Sequence, residues 1–193
     1  PLIKTMDAEI IYSNIEFGLN FFFQPTSFTQ INPFINLVLI RMAMALLKPK
    51  KNELIIDFFS GLGNFTLPIA TFGSSVVGVE GDNALVESGL KNAEKNNLSE
   101  NVNFMKIDLF NASHGDIKLL GNADKWLIDP PRDGASNLIN LINSDIQPKR
   151  IVYISCNAAT LARDANILTN EKGYKFSKSG ILNMFPHTSH VES

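Results

Sequence analysis

The sequence predicts an α/β protein built on a mostly parallel sheet with helices on both faces. Short apolar segments rich in Val and Ile alternate along the chain with longer segments of helical periodicity. Several of the apolar segments end in a polar side chain followed by a glycine or proline turn, which is typical of strands that lead into crossover helices. We expect seven strands in all, the last of them truncated at the end of the chain.

The composition is that of a folded globular protein. Hydrophobic residues make up 45% of the 193 residues and charged residues 19%, which excludes general disorder. This length supports one domain with a sizeable core. No apolar run could span a membrane, and the first residues do not form a signal peptide. We therefore expect a monomeric cytoplasmic protein, and the start at Pro1 rather than Met indicates a fragment.

Net charge and cysteine content limit the classes of function that the protein could have. The net charge is −2 and the sequence has 1 Cys and 3 His. One cysteine excludes a disulfide framework, and Cys and His do not cluster at zinc spacing, so we expect no metal site. Nucleic-acid-binding domains usually carry a basic surplus, which this chain lacks.

The amino-terminal part differs in pattern from the rest. Loose alternation up to residue 23, with a turn near Gly18, predicts one or two strands. We assign residues 1–24 to the end of a preceding subdomain or a β-extension, and residues 25–193 to one α/β domain. Asn32 and Pro33 are a good cap and first turn for a helix over residues 33–48.

From residue 53 the alternation is regular. Five strands are predicted, over 54–59, 76–80, 102–108, 125–129 and 151–154. Helices are predicted over 65–72, 83–96, 135–144 and 158–168. A sixth strand over 174–181 and a seventh beginning near His190 would complete the sheet.

All five of these strands finish with a polar or nucleophilic side chain. Any one of these residues alone is better explained as a helix cap or the start of a turn. The carboxyl ends of parallel strands share one edge, where ligands of open α/β sheets bind, so five in series favour a binding site. The five residues are Asp57, Glu80, Asp108, Asp129 and Cys156.

The turn after the first of these strands indicates a nucleoside ligand. Gly61 and Gly63 permit close backbone approach, and Glu80 lies about twenty residues further on, where an acid binds ribose hydroxyls. The dinucleotide fingerprint requires a third glycine where this sequence has Thr66, which disfavours an NAD-linked oxidoreductase. The pattern resembles the S-adenosylmethionine site of Rossmann-like methyltransferases.

Cys156 lies between a predicted strand and a predicted helix. A lone cysteine is most often a small buried hydrophobe. Its surroundings change that interpretation, because the segments SCNAATLARD (155–164) and MFPHTSHVES (184–193) and the Asp129-Pro130-Pro131-Arg132 motif are present together. From about Phe23 to its end the chain resembles the RNA uracil-5-methyltransferases, and among them it is most similar to the bacterial 23S rRNA enzymes.

The resemblance implies a Rossmann-like methyltransferase fold, a catalytic domain over 25–193 and S-adenosylmethionine as cofactor. It places the nucleophile at Cys156 and the general base at Glu192. It places cofactor contacts at six positions: Gln30, Phe59, Asn64, Glu80, Asp108 and Asp129. Of these nominated residues, Gln30, Phe59 and Glu192 rest on the resemblance only. The amino end of the helix after Cys156 should favour the thiolate.

The implied reaction is methyl transfer to C5 of a uridine in 23S rRNA, through a covalent bond between the cysteine and C6. The uridine should be single-stranded or flipped out of its helix. In this family an RNA-binding β-barrel, and in many members an iron–sulfur cluster, precede the catalytic domain, so we expect this fragment to bind RNA poorly. The alternatives are a tRNA uridine substrate, an NAD-linked oxidoreductase and a noncatalytic binding module.

Overall fold

The computed structural model describes residues 10–24, 32–184 and 191–193. The strands are β1 (Ile10–Asn14), β2 (Leu19–Phe23), β3 (Leu54–Phe58), β4 (Ser75–Glu80), β5 (Val102–Lys106), β6 (Lys125–Ile128) and β7 (Arg150–Tyr153). The helices are α1 (Pro33–Leu47), α2 (Thr66–Ala70), α3 (Asn83–Lys95), α4 (His114–Lys118), α5 (Ser136–Asn140) and α6 (Ala158–Asn166), which continues as a π-helix over Ile167–Glu171.

Five strands form one parallel sheet in the order β5-β4-β3-β6-β7, so the predicted α/β fold class is confirmed. The chain runs outward from β3 to β4 and β5 on one side and then crosses to β6 and β7 on the other side of β3. At such a reversal of strand order, the carboxyl ends of the strands border a crevice. The remaining two strands form an antiparallel hairpin, as predicted for the first residues of the chain.

Side chains of the sheet contribute to two hydrophobic cores, one on each face of the sheet. One core combines Ile55 and Leu127 with side chains of α1, α2, α3 and the hairpin. The other combines Ile56 and Trp126 with side chains of α4, α5 and the π-helix. Successive strand residues point to opposite faces, so fully apolar strands need helices on both sides to bury them.

Local chemistry explains where α1 begins and ends. The Asn32 side chain accepts a hydrogen bond from the Ile35 N–H at 3.2 Å, and Pro33 occupies the first turn. Lys48 has a left-handed backbone with φ of 50°, and its N–H donates to the Met44 carbonyl. The helix ends one residue before the predicted boundary.

The predicted sixth strand is wrong. Residues 174–181 form no strand, and Phe176 and Ile181 are 68% and 72% exposed, so this segment lacks the buried face that would stabilise a strand. Pairing begins only at Leu182, which bridges to Glu192. The sheet described here therefore has five strands rather than seven; residues 185–190, where the seventh was expected to begin, lie outside the described part.

The hairpin packs onto α3 through side-chain amides. Asn92 accepts from the Phe22 N–H at 2.8 Å, and Asn96 accepts from the Asn20 N–H at 2.8 Å. Leu19 and Phe21 of the hairpin belong to the same core as α1 and α3. The described part of the hairpin is thus tied to the sheet domain by both apolar packing and hydrogen bonds. No helix among the described residues is long and apolar enough to cross a membrane.

Candidate active site

The glycine turn after β3 is built for close approach. Gly61 and Gly63 have φ of +54° and +102°, a region that favours glycine. A Cβ on Gly63 would lie 3.1 Å from Cζ of Phe104, whereas a Cβ on Gly61 would meet no atom of the described part of the chain within 4 Å. Gly63 is therefore required for packing, and Gly61 leaves the backbone open to a ligand.

Glu80 holds this turn in place. One of its carboxylate oxygens, Oε2, accepts from the Gly61 N–H at 2.9 Å, and Oε1 accepts from the Gly81 and Asp82 N–H groups at 2.7 and 3.1 Å. The carboxylate that the sequence nominated for ribose hydroxyls is thus fixed beside the glycine turn.

Asp57 lies within β3 and is completely buried. Its Oδ2 accepts from the Thr66 hydroxyl at 2.6 Å, while its Oδ1 has no partner among the described residues. Burial raises the pKa of Asp57 to about 7, although the Thr66 hydrogen bond opposes the shift. Thr66, the residue that stands where dinucleotide sites have glycine, therefore serves as the hydrogen-bond donor to this acid.

A cavity of about 260 Å³ opens beside the turn. Its wall is mostly aromatic and apolar, with Asn36, Ser60, Asn64 and Asp129 as polar members, and it is lined by Tyr12, Phe21, Phe23, Pro33, Asn36, Phe59, Ser60, Gly61, Leu62, Asn64, Phe65 and Asp129. An apolar pocket with a few convergent polar groups is the usual form of a small-molecule site.

Two predicted contact residues in this wall are held in defined geometries. Phe59 has φ of 61°, which is rare for a bulky side chain, and its ring lies 5.7 Å from that of Phe110. Asn64 exchanges amide hydrogen bonds with Asn36 at 2.9 and 3.0 Å. Asn36 was missed in the sequence, although a polar residue inside the apolar pattern of α1 was a usable signal.

The hairpin residues of the cavity were also missed. Tyr12, Phe21 and Phe23 reach the cavity from strands that we assigned to the end of a preceding subdomain or a β-extension. Their alternating pattern indicated a strand with a buried face, but the sequence could not show that this face borders the crevice of the sheet.

Asp129 follows β6, and its N–H donates to the Phe58 carbonyl at 3.3 Å. Burial, together with the negative charges of Glu192 and Asp57, raises the pKa of Asp129 to about 8. Three carboxyls that are far apart in the sequence thus influence one another at this edge.

Glu192 is only 7% exposed and lies in a short extended pairing. Its N–H donates to Leu182 at 2.8 Å, and the next residue, Ser193, exchanges backbone hydrogen bonds with Ser155 at 2.9 and 3.0 Å. These bonds bring the end of the chain beside the Cys156 segment. Burial raises the pKa of Glu192 above its ordinary value.

Cys156 is half-buried, and its pKa is raised by burial and by the charges of Glu192 and Asp129, while Arg132 lowers it. The expectation that this site favours the thiolate is therefore wrong for the chain by itself. Burial and the two nearby carboxyls both disfavour the thiolate at this position.

Asp108 was nominated as a cofactor contact, and its carboxylate bonds within its own turn. It accepts from the Phe110 N–H at 3.1 Å and from the Asn111 amide at 2.7 Å, and the Asn111 bond lowers its pKa. Gln30, the remaining nominated contact, lies outside the described residues. Among the residues that the structure describes, no group of three or more His, Cys, Asp or Glu could hold a metal ion.

The residues present fit an adenosine-bearing sulfonium cofactor. Among the described residues, the buried Oδ1 of Asp57 and Oγ of Ser60 have no hydrogen-bond partner, and Ser60 lines the cavity. The aromatic wall suits an adenine ring, and the Asp129 carboxyl suits a positively charged group.

Comparison with known proteins decides the family. The sequence profile described as tRNA (uracil-5-)-methyltransferase matches residues 7–193. The chain belongs to this family. As a uracil-5-methyltransferase family member it is 54% identical over 182 residues to the 23S rRNA (uracil(1939)-C(5))-methyltransferase RlmD of Dechloromonas aromatica, covering 94% of this chain and 42% of the relative.

Two further relatives agree. The Azoarcus sp. protein of the same name is 51% identical over 193 residues, which cover 100% of this chain and 45% of that relative. The crystal structure of the Pyrococcus abyssi tRNA (uracil-54, C5)-methyltransferase, in complex with S-adenosyl-L-homocysteine, is similar with a TM-score of 0.80 and 31% identity over 95% of this chain and 43% of that one. The chain thus spans less than half the length of these family members.

Proposed function

We propose that the protein transfers a methyl group from S-adenosylmethionine to C5 of a uridine in 23S rRNA. The observation that carries this proposal is the placement of Glu192 beside Cys156 at the sheet edge, next to a cavity suited to the cofactor. The naming of the rRNA relatives supports the choice of substrate.

Uracil C5 is a weak nucleophile, and the two residues have complementary tasks. The Cys156 thiolate adds to C6, and the electron pair of the C5–C6 double bond moves toward C4 as an enolate, which makes C5 nucleophilic. When bound, S-adenosylmethionine supplies an electrophilic methyl group for C5. Glu192 then takes the C5 proton, the double bond re-forms and the thiolate leaves.

The raised pKa values suit this sequence of events. A carboxyl with a raised pKa accepts a carbon-bound proton more readily than an exposed one does. The Cys156 thiol must lose its proton before attack, and its raised pKa means that a small fraction is thiolate at neutral pH. A cationic cofactor beside Asp129 would shift the local charge balance toward the thiolate.

The cofactor would be held by the residues that line or fix the cavity. Phe59 and the hairpin rings would provide apolar contact, Glu80 beside the glycine turn would bind the ribose hydroxyls, and Asn64 and Asp129 would offer polar contacts. We keep Asp108 as a proposed contact, and Gln30 is nominated by the family resemblance alone.

The RNA partner must present its uridine single-stranded or flipped out, because C6 has to reach a half-buried sulfur atom. A ribosomal RNA substrate implies a cytoplasmic enzyme, and we propose that it acts as a monomer. A tRNA uridine is the second candidate substrate, favoured by the family's description and by the named substrate of the Pyrococcus abyssi relative. The hydrogen bond from Thr66 to Asp57 weighs against the oxidoreductase alternative.

The test is incubation of the whole protein with S-adenosylmethionine and 23S rRNA fragments or tRNA carrying 5-fluorouridine. A base can remove the hydrogen at C5 as a proton but cannot remove fluorine from that position, so the thiolate is not eliminated and a covalent RNA adduct should accumulate. Peptide mass spectrometry should locate the adduct at Cys156. Cys156→Ala should abolish the adduct and retain cofactor binding. A protein that binds cofactor but forms no adduct with either RNA, or an adduct at another residue, contradicts the mechanism.

A further inference from the structure

The loop that follows Asp129 is held by side chains from the helix that follows Cys156. The Arg132 carbonyl accepts from the Asn157 amide at 2.9 Å and from the Thr160 hydroxyl at 3.1 Å. The Asp133 carbonyl accepts from the Arg163 guanidinium at 2.9 Å. Hydrogen bonds from α6 therefore reach two consecutive residues of this loop.

The end of the loop is fixed by a buried carboxylate. Asp164 is completely buried, and its Oδ2 accepts from the Ala135 N–H at 2.8 Å and from the Tyr153 hydroxyl at 2.6 Å. Its Oδ1 accepts from Arg163 Nε at 2.8 Å. Each carboxylate oxygen thus has a partner, and the partners come from the loop, β7 and α6.

Gly134 shows how closely the loop meets this cluster. A Cβ at Gly134 would lie 2.5 Å from Nη2 of Arg163, 2.7 Å from Oδ2 of Asp164 and 3.0 Å from Cβ of Thr160. The loop backbone lies against the hydrogen-bonding groups, and any side chain there must displace them.

We propose that Asp164, with Tyr153 and Arg163, is a positioning cluster that fixes the loop of Arg132 against the Cys156 segment. Asp129 and Arg132 both lie close enough to Cys156 for their charges to affect it. The backbone of Asp129 is anchored by its N–H bond to Phe58, whereas the cluster anchors the loop after Arg132, through the Asp133 carbonyl and the Ala135 N–H. Loosening the cluster therefore frees the loop on the Arg132 side.

The expected effect on methyl-transfer kinetics rests on the proposed function, whereas the expected effect on the Cys156 thiol does not. When the Arg132 charge moves away, burial and the two acids, which raise the pKa of Cys156, meet less opposition. Alkylation of Cys156 should then require higher pH. Small misplacement of reacting groups costs about tenfold to a hundredfold in turnover.

The test uses Tyr153→Phe, Asp164→Asn and Gly134→Ala in the whole protein. Tyr174→Phe is the control for the tyrosine, because its hydroxyl donates to Pro148 at 2.7 Å away from this loop. Gly173→Ala is the control for the glycine, because Gly173 has φ of +75° against +77° for Gly134 and a Cβ there meets no atom within 4 Å.

Two readouts are taken on each variant: the pH profile of iodoacetamide alkylation of the Cys156 peptide, followed by mass spectrometry, and kcat and KM for methyl transfer. We expect the three cluster variants to move the alkylation profile to higher pH and to lower kcat by about tenfold or more with little change in cofactor KM. The two controls should match the wild type.

Wild-type profiles and kcat in folded Tyr153→Phe and Gly134→Ala would overturn the proposal. A wild type that alkylates normally but methylates no uridine overturns the proposed function instead, and the alkylation profiles still decide on the cluster.

Discussion

Glu192 combines burial with a fixed backbone, which is what a base acting on one carbon-bound proton requires. Its backbone is fixed near Cys156 by two hydrogen bonds with the backbone of Leu182, at 2.7 and 2.8 Å. Replacing Glu192 with Gln keeps these backbone hydrogen bonds, so the carboxylate base can be removed while the backbone of residue 192 stays in place.

We expect Glu192→Gln to form the covalent RNA adduct and to release product about 10²–10⁴-fold more slowly, because elimination of the thiolate requires loss of the C5 proton. The measurement is adduct accumulation on unmodified uridine RNA, with single-turnover methyl transfer to show that the earlier step survives. Glu171→Gln, in the exposed end of the π-helix, is the control. Normal turnover by Glu192→Gln would assign the proton to another group.

Asp57 makes stability depend on pH. Its pKa is raised from 3.8 to about 7, so between these values the native state holds a proton that the unfolded chain has released. The free energy of unfolding therefore falls as pH rises through this range. At about 1.4 kcal/mol per pKa unit, the decline that Asp57 contributes over this range is on the order of 4 kcal/mol.

Urea unfolding at a series of pH values should show that Asp57→Asn flattens this decline. Asp116→Asn is the control, because Ser113 hydrogen bonds lower the pKa of this exposed acid and its effect is confined to more acid conditions. A wild-type slope in Asp57→Asn would show that Asp57 is ionised in the native protein at neutral pH.

At the scale of elements, one buried lysine joins α1, β3 and β6 at the end of the sheet opposite the site. The Lys125 ammonium donates to the Lys48 carbonyl at the end of α1 and to the Glu53 carboxylate. The Lys125 and Glu53 side chains are 8% and 20% exposed. A charge at the start of a central strand is tolerated because both partners converge on it.

We expect Lys125→Met to lower the free energy of unfolding by about 3–5 kcal/mol, because the poorly solvated Glu53 carboxylate loses its charged partner and keeps the hydrogen bond from the Lys50 N–H. Lys149→Met breaks the Asp124 pair, whose lysine side chain is 80% exposed, and should cost no more than about 1 kcal/mol. Chemical denaturation compares the two variants. Equal small losses would mean that the buried pair contributes no more than the surface one.

At the scale of the whole molecule, the hairpin and the sheet domain together build the cofactor cavity. Asn92 is completely buried in α3, and it accepts from the hairpin Phe22 N–H and donates to Leu62 of the glycine turn at 3.2 Å. One side chain therefore joins the hairpin to the turn, and both border the same cavity.

We expect Asn92→Ala to weaken binding of S-adenosylhomocysteine about tenfold, or roughly 1.4 kcal/mol, since the loss of its two hydrogen bonds loosens two walls of the cavity. Isothermal titration calorimetry measures the change, with Ser88→Ala on the more exposed side of α3 as the control. Unchanged affinity in a folded Asn92→Ala protein would show that the hairpin is not part of the cofactor site, and would favour the predicted boundary at residue 24.

The sequence by itself determined the parallel strands and the edge on which the polar residues collect, because burial on both faces and strand-to-helix turns leave strong local patterns. It located Glu80, Asp129 and Cys156 for the same reason. The family motif added Glu192, whose surroundings the pattern of residues does not reveal. Tertiary structure decided the rest: the amide pair of Asn36, the aromatic hairpin wall and the pKa of Cys156. Each depends on groups that are distant in sequence, and neither burial nor Coulomb interaction between such groups can be evaluated until the chain has brought them together.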